Sequence, residues 1–141
     1  MKRFGSATWN GYLREGKGSV STESRALESH PYTFFSRYGE KPGTNPEELL
    51  GAAHAACFTM SFVRMPGMAE FVPEQLASKS EAVIDKDGDG FSITSVHLTV
   101  AAKIPGIDHE TFQSIAAKAK AGCPVSKLIK VEIGFEATLS P

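Results

Sequence analysis

The sequence predicts an α+β fold in which two helices lie on sheet, and three observations predict it. Residues 46 to 63 are rich in alanine and leucine, uninterrupted by proline after Pro46, and long enough for about five helical turns. Residues 76 to 104 hold two strand-like runs around the turn DKDGDG. Beyond them, one apolar pattern recurs at helical spacing and another alternates, as a helix and then a strand would require.

The extended first third comes before the long helix. Ser6 to Asn10, Gly18 to Ser24 and Tyr32 to Arg37 are short, β-prone and separated by Gly, Ser and Pro, which suits a meander of strands. The helix then has a marked start. Thr44 or Asn45 can cap it, Pro46 suits its first position, and Glu47 and Glu48 sit where the macrodipole favours negative charge. Pro66 and Gly67 end or kink it. The strands of the hairpin run from Leu76 to Asp85 and from Phe91 to Ile104. The second alternates Val96, Leu98, Val100, Ala102 and Ile104, whereas Phe91 and Ile93 fall on the other phase, so a bulge near Thr94 and Ser95 is expected. Asp108 caps a helix with Phe112, Ile115, Ala116 and Ala119 on one face, and Val131, Ile133, Phe135, Ala137 and Leu139 form a one-sided last strand. There are no repeats and no linker, so residues 1–141 are expected to form a single domain.

Composition excludes several classes of partner. Fifteen basic and sixteen acidic residues leave a net charge of −1 with no clustered sign, so nucleic acid is not an expected partner. The start, MKRFGSATWN, has a positive pair but no apolar run behind it, and the most apolar stretch, Leu49 to Val63, contains His54, Thr59 and Ser61 and is shorter than the roughly 20 residues a bilayer requires. No membrane partner is expected, and a cytoplasmic location is. There, the two cysteines, Cys57 and Cys123, stay reduced by default and serve either as inert packing or in redox work.

Tempting motifs fail on their details. DKDGDG places Asp85, Asp87, Asp89 and Gly90 as a calcium loop would, but its twelfth position is Val96, where a bidentate Glu is needed, and its flanks are strands. It reads as a hairpin turn. REGKGS has the wrong spacing for a phosphate loop, and no glycine fingerprint for dinucleotides occurs, so no cofactor is expected. His54 and Cys57 have a zinc-like spacing on one helix, yet no second pair completes four ligands. No metal is expected, and His54 is read as a packed or hydrogen-bonded histidine that could also tune the nearby thiol.

A cysteine among alanines is, taken alone, more often a small hydrophobe than a nucleophile. Local features shift that balance. Arg37 lies just upstream of the glutamates, so a guanidinium held by Glu47 could be aimed at the thiol; a surface arginine is the bland alternative. Cys123 precedes Pro124, which makes it a candidate N-cap of the short helix PVSKLIK, where a thiol is acidified. Cys57 lies about three turns into its helix, gains little from the dipole, and needs an external cation.

The run GTNPEELLGAAHAACFTM, followed some 65 residues later by AKAGCPVSK, resembles the OsmC/Ohr family of osmotically induced and organic hydroperoxide resistance proteins, the OsmC branch most. The likeness extends from GKGSVSTES through PYTFFSRYGEKPGTNPEEL to IPGID and CPVSK; Pro66 in the back half of the helix departs from it. The resemblance implies an OsmC-like fold, with antiparallel sheets packed around a long central helix in an intertwined homodimer with interfacial sites. It also implies a thiol-dependent peroxidase that reduces organic hydroperoxides, and hydrogen peroxide, in stress defence. By motif position, Cys57 is similar to the peroxidatic cysteine, Cys123 to the resolving cysteine, Arg37 to the branch's arginine and Glu47 to the glutamate that holds it. A dithiol reductant, such as a lipoyl protein, would reopen the resulting disulfide. The chemistry fits: a thiolate attacks peroxide oxygen, and a cation beside it raises the thiolate fraction and stabilises the charge that develops.

Helix geometry adds a separate inference. Glu47 and Cys57, ten residues apart on one helix, are separated by about 15 Å along its axis and differ in direction by roughly 80°. An antiparallel second copy would bring them together, with the face of Gly51, Ala52, Ala53, Ala55 and Ala56 making room for it. The apolar residues Phe58, Met60, Phe62, Met65, Met68 and Phe71 are expected to offer an apolar mouth that favours bulky alkyl hydroperoxides. The rival reading is a non-catalytic stress-associated binding protein whose apolar cavity is merely lined by Cys57. It does not explain a cation beside a thiol.

Overall fold

A computed structural model describes the chain from Met1 to Pro141, which divides into two compact units, Met1–Leu49 and Leu50–Pro141. The first unit holds β1 (Gly5–Asn10), β2 (Lys17–Thr22) and β3 (His30–Tyr32), an antiparallel meander in the order β1-β2-β3. Gly18 is a steric requirement of this sheet: a Cβ there would meet Tyr32 Cε1 at 2.4 Å and Trp9 Cε3 at 2.7 Å, and the two rings pack with centroids 5.5 Å apart. The third β-prone segment departs from expectation after Tyr32. Phe34–Tyr38 is a short helix, α1, and so Arg37 stands on a helix rather than at a strand end. Thr33 and Ser36 explain this locally, because each side chain accepts from the other's backbone N–H and closes a capping box.

The long helix α2 (Pro46–Val63) starts where the cap residues place it, with Asn45 Oδ1 accepting from the Glu48 N–H at 2.8 Å. Pro66–Met68 follows as a single 3₁₀ turn, so the helix has already ended before Pro66.

In the second unit, β4 (Gln75–Asp87) and β5 (Gly90–Lys103) form the hairpin. Val83 pairs with Ser95 and Ile84 with Ile93, which leaves Thr94 as the bulged residue and returns Ile93 to the face of Val96. The turn holds no calcium cage: the Asp85 carboxylate accepts from the Thr94 hydroxyl, and that of Asp87 accepts from Ser92. Next come α3 (His109–Gly122), α4 (Pro124–Leu128) and β6 (Ile133–Ser140). Asp108 caps α3 by accepting from the Thr111 N–H at 2.8 Å. The last strand does not continue an antiparallel sheet. β6 lies parallel to β5, giving the order β4-β5-β6, because the helical crossover carries the chain back to the start of β5. Gln113 and Lys120 on α3 donate to the Ala137 and Ile133 carbonyls and so fasten this edge strand.

The core belongs to the second unit. Phe58 and Phe62 from α2 meet Leu98, Val100 and Ala102 of β5 and Phe112, Ile115, Ala116 and Ala119 of α3. The Phe62 and Phe112 rings pack 5.7 Å apart. One stripe of α2 therefore faces the sheet, and Gly51 lies on it: a Cβ there would reach the Ser80 carbonyl oxygen at 2.5 Å. Gly51 thus serves packing within its own chain and is not part of a face left open for a second copy. Ala55 is half-buried, whereas Ala52, Ala53, Ala56, Met60 and Val63 form an exposed apolar stripe on the opposite side.

Candidate active site

The side chains singled out by the sequence form two pairs, one in each unit. In the first, Glu47 on the opening turn of α2 is nearly buried and holds Arg37. The Arg37 Nη2 donates to Oε1 at 2.7 Å, and its Nε is shared between Oε1 and Oε2 at 3.2 and 3.3 Å. The guanidinium carbon also lies 5.0 Å above the Tyr38 ring. Hydrogen bonding to Glu47 raises the Arg37 pKa further above its ordinary value, so the cation is permanent. Beside it opens a cleft of about 250 Å³ lined by Trp9, Leu13, Tyr32, Phe34 and Tyr38.

In the second pair, Cys123 Sγ lies 3.1 Å from Cys57 Sγ, and both are free thiols. Cys123 is fully buried at the seam between α3 and α4, capping α4 by accepting the Ser126 N–H at 3.5 Å. Cys57, just over three turns into α2, is only partly exposed. Their acidities differ. Burial pushes the Cys57 thiol above its ordinary value, and its neighbour Cys123 adds to that, against weaker help from the Val125 N–H and Ser61. Burial opposes ionisation of Cys123 as well, but there the Ser126 N–H and hydroxyl outweigh it and bring the pKa down. The sequence reading anticipates the lowered Cys123. At Cys57 the chain's own surroundings work against the thiolate.

His54 is the third polar group here. It is completely buried, one turn before Cys57, with Nδ1 2.8 Å from Ser80 Oγ on β4 and Nε2 2.8 Å from Ser126 Oγ on α4. It is thus the hydrogen-bonded histidine that the sequence favours, and no three His, Cys, Asp or Glu side chains gather as metal ligands. Sequence reasoning missed Ser80 and Ser126. The signal for Ser126 is its place three residues after Cys123, where a capped helix turns the N–H back to the cap.

The apolar mouth expected from residues 58 to 71 is mostly core packing. Phe58, Phe62 and Met68 are core at 0%, 0% and 4% exposure, Met65 and Phe71 are partly buried against that core, and Met60 projects outward, at 71%. Periodicity identifies an apolar stripe without saying what it faces.

The chain is similar to known proteins over most of its length. The family model described as OsmC-like protein matches residues 39–138. The peroxiredoxin OsmC of Escherichia coli (strain K12) is 48% identical over 136 residues, which cover 96% of this chain and 95% of that one. An organic hydroperoxide resistance protein of Xanthomonas axonopodis pv. citri is 32% identical over 131 residues, 90% and 87% of the two chains. Among solved structures, an OsmC-like protein from Mycoplasma pneumoniae superposes with a TM-score of 0.76 at 15% identity, covering 100% of this chain and 99% of its own, which speaks for the fold alone.

Proposed function

The chain belongs to the OsmC-like protein family, and from that premise we propose that it is a thiol-dependent peroxidase that reduces organic hydroperoxides in stress defence. The single observation that carries the assignment of roles is the pair of reduced sulfurs 3.1 Å apart, one partly exposed and one buried. Peroxide can reach Cys57, and so Cys57 attacks. Its sulfur takes the outer oxygen and becomes sulfenic acid, the alcohol leaves, and Cys123 displaces hydroxide from Cys57 to give the disulfide. The sulfurs need close by only about 1 Å to bond. An external dithiol, for which a lipoyl protein is the expected source, restores both thiols.

Arg37 supplies the cation that Cys57 lacks, and Glu47 orients it. We place the complete site between two antiparallel copies. Three features support this: Glu47 and Cys57 are ten residues apart on α2, an exposed apolar stripe runs along that helix, and the first unit lacks a core. That unit buries no apolar side chain of its own, as expected of a layer that needs a partner surface. Within this arrangement residues 1–141 act as a single peroxidase domain. No helix is long and apolar enough to cross a membrane, and a cytoplasmic setting, which keeps both thiols reduced, suits the chemistry.

The test is peroxide turnover with catalytic protein and excess dithiol. Cys57→Ser should abolish it, whereas Cys123→Ser, mixed with peroxide in the absence of dithiol, should consume about one peroxide per chain and stop at sulfenic acid, because attack and resolution are separate steps. Equal residual turnover in the two variants would reject the roles, and consumption by the parent chain that never exceeds one equivalent would favour a passive binding protein. The aromatic cleft beside Arg37 takes the place of the expected α2 mouth as the seat of the organic group. Bulky alkyl hydroperoxides should therefore show a higher kcat/KM than hydrogen peroxide, and Trp9→Ala should narrow that ratio.

A further inference from the structure

His54 carries no part in the reaction as described so far, yet it is buried completely and joined at both nitrogens to hydroxyls. A side chain that only fills space in a core is better apolar, since burying an imidazole requires both ring nitrogens to be satisfied. The two serines come from different elements, and one of them, Ser126, also acts on the Cys123 sulfur with its backbone N–H and its hydroxyl. The polar chain thus runs from Ser80 through His54 to the Ser126 hydroxyl, Ser126 meets the Cys123 sulfur with its N–H at 3.5 Å and with its side chain, and Cys57 lies 3.1 Å further on.

We propose that His54 and Ser126 form a proton relay that draws the thiol proton from Cys123 as it attacks the Cys57 sulfenic acid. The inference rests on the peroxidase reading above, with Cys57 attacked and Cys123 resolving. Its steps balance. Cys123 S–H gives its proton to Ser126 Oγ, while the Ser126 hydroxyl proton passes to His54 Nε2. The Cys123 electron pair forms the S–S bond, the Cys57 S–O bond breaks with its pair going to oxygen, and the departing hydroxide takes a proton from solvent to leave as water. His54 then returns the proton it gained to the solvent hydroxide so formed, so no net proton is gained or lost. Cys123 is oxidised and Cys57 reduced by the same count. Both tautomers of His54 serve the cycle. With its proton on Nδ1, facing Ser80, the ring accepts from Ser126; with its proton on Nε2, it donates to Ser126, whose hydroxyl is then free to donate to the Cys123 thiolate.

The surroundings of His54 agree. Ser80 faces it from β4 and Ser126 from α4, Lys120 of α3 is the charged group that acts on it, and Cys57 lies one turn along its own helix. Burial first, and then Lys120, lower its pKa, so the ring is neutral near neutral pH and holds a proton only in passing before giving it up. Ser126 touches the reacting sulfur. His54 acts through it and is a positioning and proton-accepting residue.

The experiment mixes reduced protein with one equivalent of tert-butyl hydroperoxide. Rapid quenching with a sulfenic-acid trap, followed by mass spectrometry, then times sulfenate and disulfide separately across pH. His54→Gln retains a carboxamide able to bond both hydroxyls but accepts no proton. It should leave sulfenate formation unchanged and slow disulfide formation by about a hundredfold near neutral pH, the lower end of general-base contributions. The defect should close as pH rises past the Cys123 pKa, which lies below the ordinary thiol value, because solvent then deprotonates Cys123 without help. Ser126→Ala, a smaller change that keeps the backbone N–H, should reproduce the same neutral-pH loss. A disulfide rate with the parent's pH profile in both variants, or slowing by the same factor at every pH, would overturn the relay and leave a purely structural histidine. A parent chain that forms no Cys57 sulfenic acid would remove the peroxidase roles, and the relay with them. Sulfenate in the parent with unaltered profiles in the variants removes the relay alone.

Discussion

Burial makes Cys57 a poor thiolate in its own surroundings, so the proposed mechanism depends on the cation that Glu47 holds. Arg37→Met should raise the Cys57 pKa and slow peroxide attack near neutral pH, through a smaller thiolate fraction and lost stabilisation of developing charge. Glu47→Gln should act in the same direction but more mildly, because it leaves the cation and loosens only its aim. Titration of the thiolate absorbance in a Cys123→Ser background measures both, and an unshifted Cys57 pKa in Arg37→Met would break the link. His54 makes a separate prediction about stability. Its folded pKa lies below the ordinary 6.5, so the unfolded chain binds a proton that the folded chain resists. The His54 contribution is therefore intact above about pH 6.5 and is lost as pH falls from there towards the folded pKa. The Tm of the parent should drop more steeply than that of His54→Gln between about pH 7 and pH 5. Parallel curves would mean that the imidazole is protonated as easily in the fold as outside it.

At the scale of elements, α2 has one face pressed to the sheet and the other exposed. Gly51 sets how closely the helix approaches β4, because the Ser80 carbonyl occupies the place of a side chain. Gly51→Ala should cost about 1–3 kcal/mol through overpacking, despite the better helix propensity of alanine. The same substitution shifts His54 away from Ser80, so slower disulfide formation should accompany the lower Tm. If Gly51→Ala instead gains stability, helix propensity governs this position and the packing argument fails. Elsewhere the caps do local work that a sequence already displays. Asn45, Asp108 and Cys123 each sit one residue before a helix and each bond the N–H three residues on.

At the scale of the whole molecule, the proposed dimer would join an Arg37–Glu47 pair from one copy to a Cys57–Cys123 pair from the other. An inactive Cys57→Ser chain co-expressed with a nearly inactive Glu47→Ala chain should then yield heterodimers holding one intact site, since the first supplies Glu47 and the second Cys57. Turnover well above either parent supports a shared site. No recovery in heterodimers verified by mass would mean that Glu47 serves the thiol of its own chain. Charge on the exposed stripe tests the same arrangement: Ala53→Glu should weaken self-association in sedimentation experiments while leaving a folded chain, because Ala53 is exposed in the single copy.

What the sequence by itself determined is what depends on near neighbours. Pro46 after Asn45, Asp108 before its apolar helix, Pro124 after Cys123 and the phase break at Thr94 are all legible, because caps, fixed φ angles and alternation act within a few residues. The two cysteines, with Arg37 and Glu47, were also legible, through motif likeness and through the chemical oddity of a thiol among alanines. The TFFS capping box, which forms and starts α1, is legible in principle, although the β-propensity of its aromatics points to a strand. Only the tertiary structure decided the rest. It turned Phe58 and Phe62 inward as core, laid β6 parallel to β5, set Gly51 against Ser80, and closed the chain of hydrogen bonds from His54 to Ser126, 72 residues away. A periodic stripe records that a face is apolar and a buried histidine that it needs partners. Which face meets which, and which hydroxyl answers which nitrogen, follow from packing between segments far apart in the chain, and no local pattern encodes that.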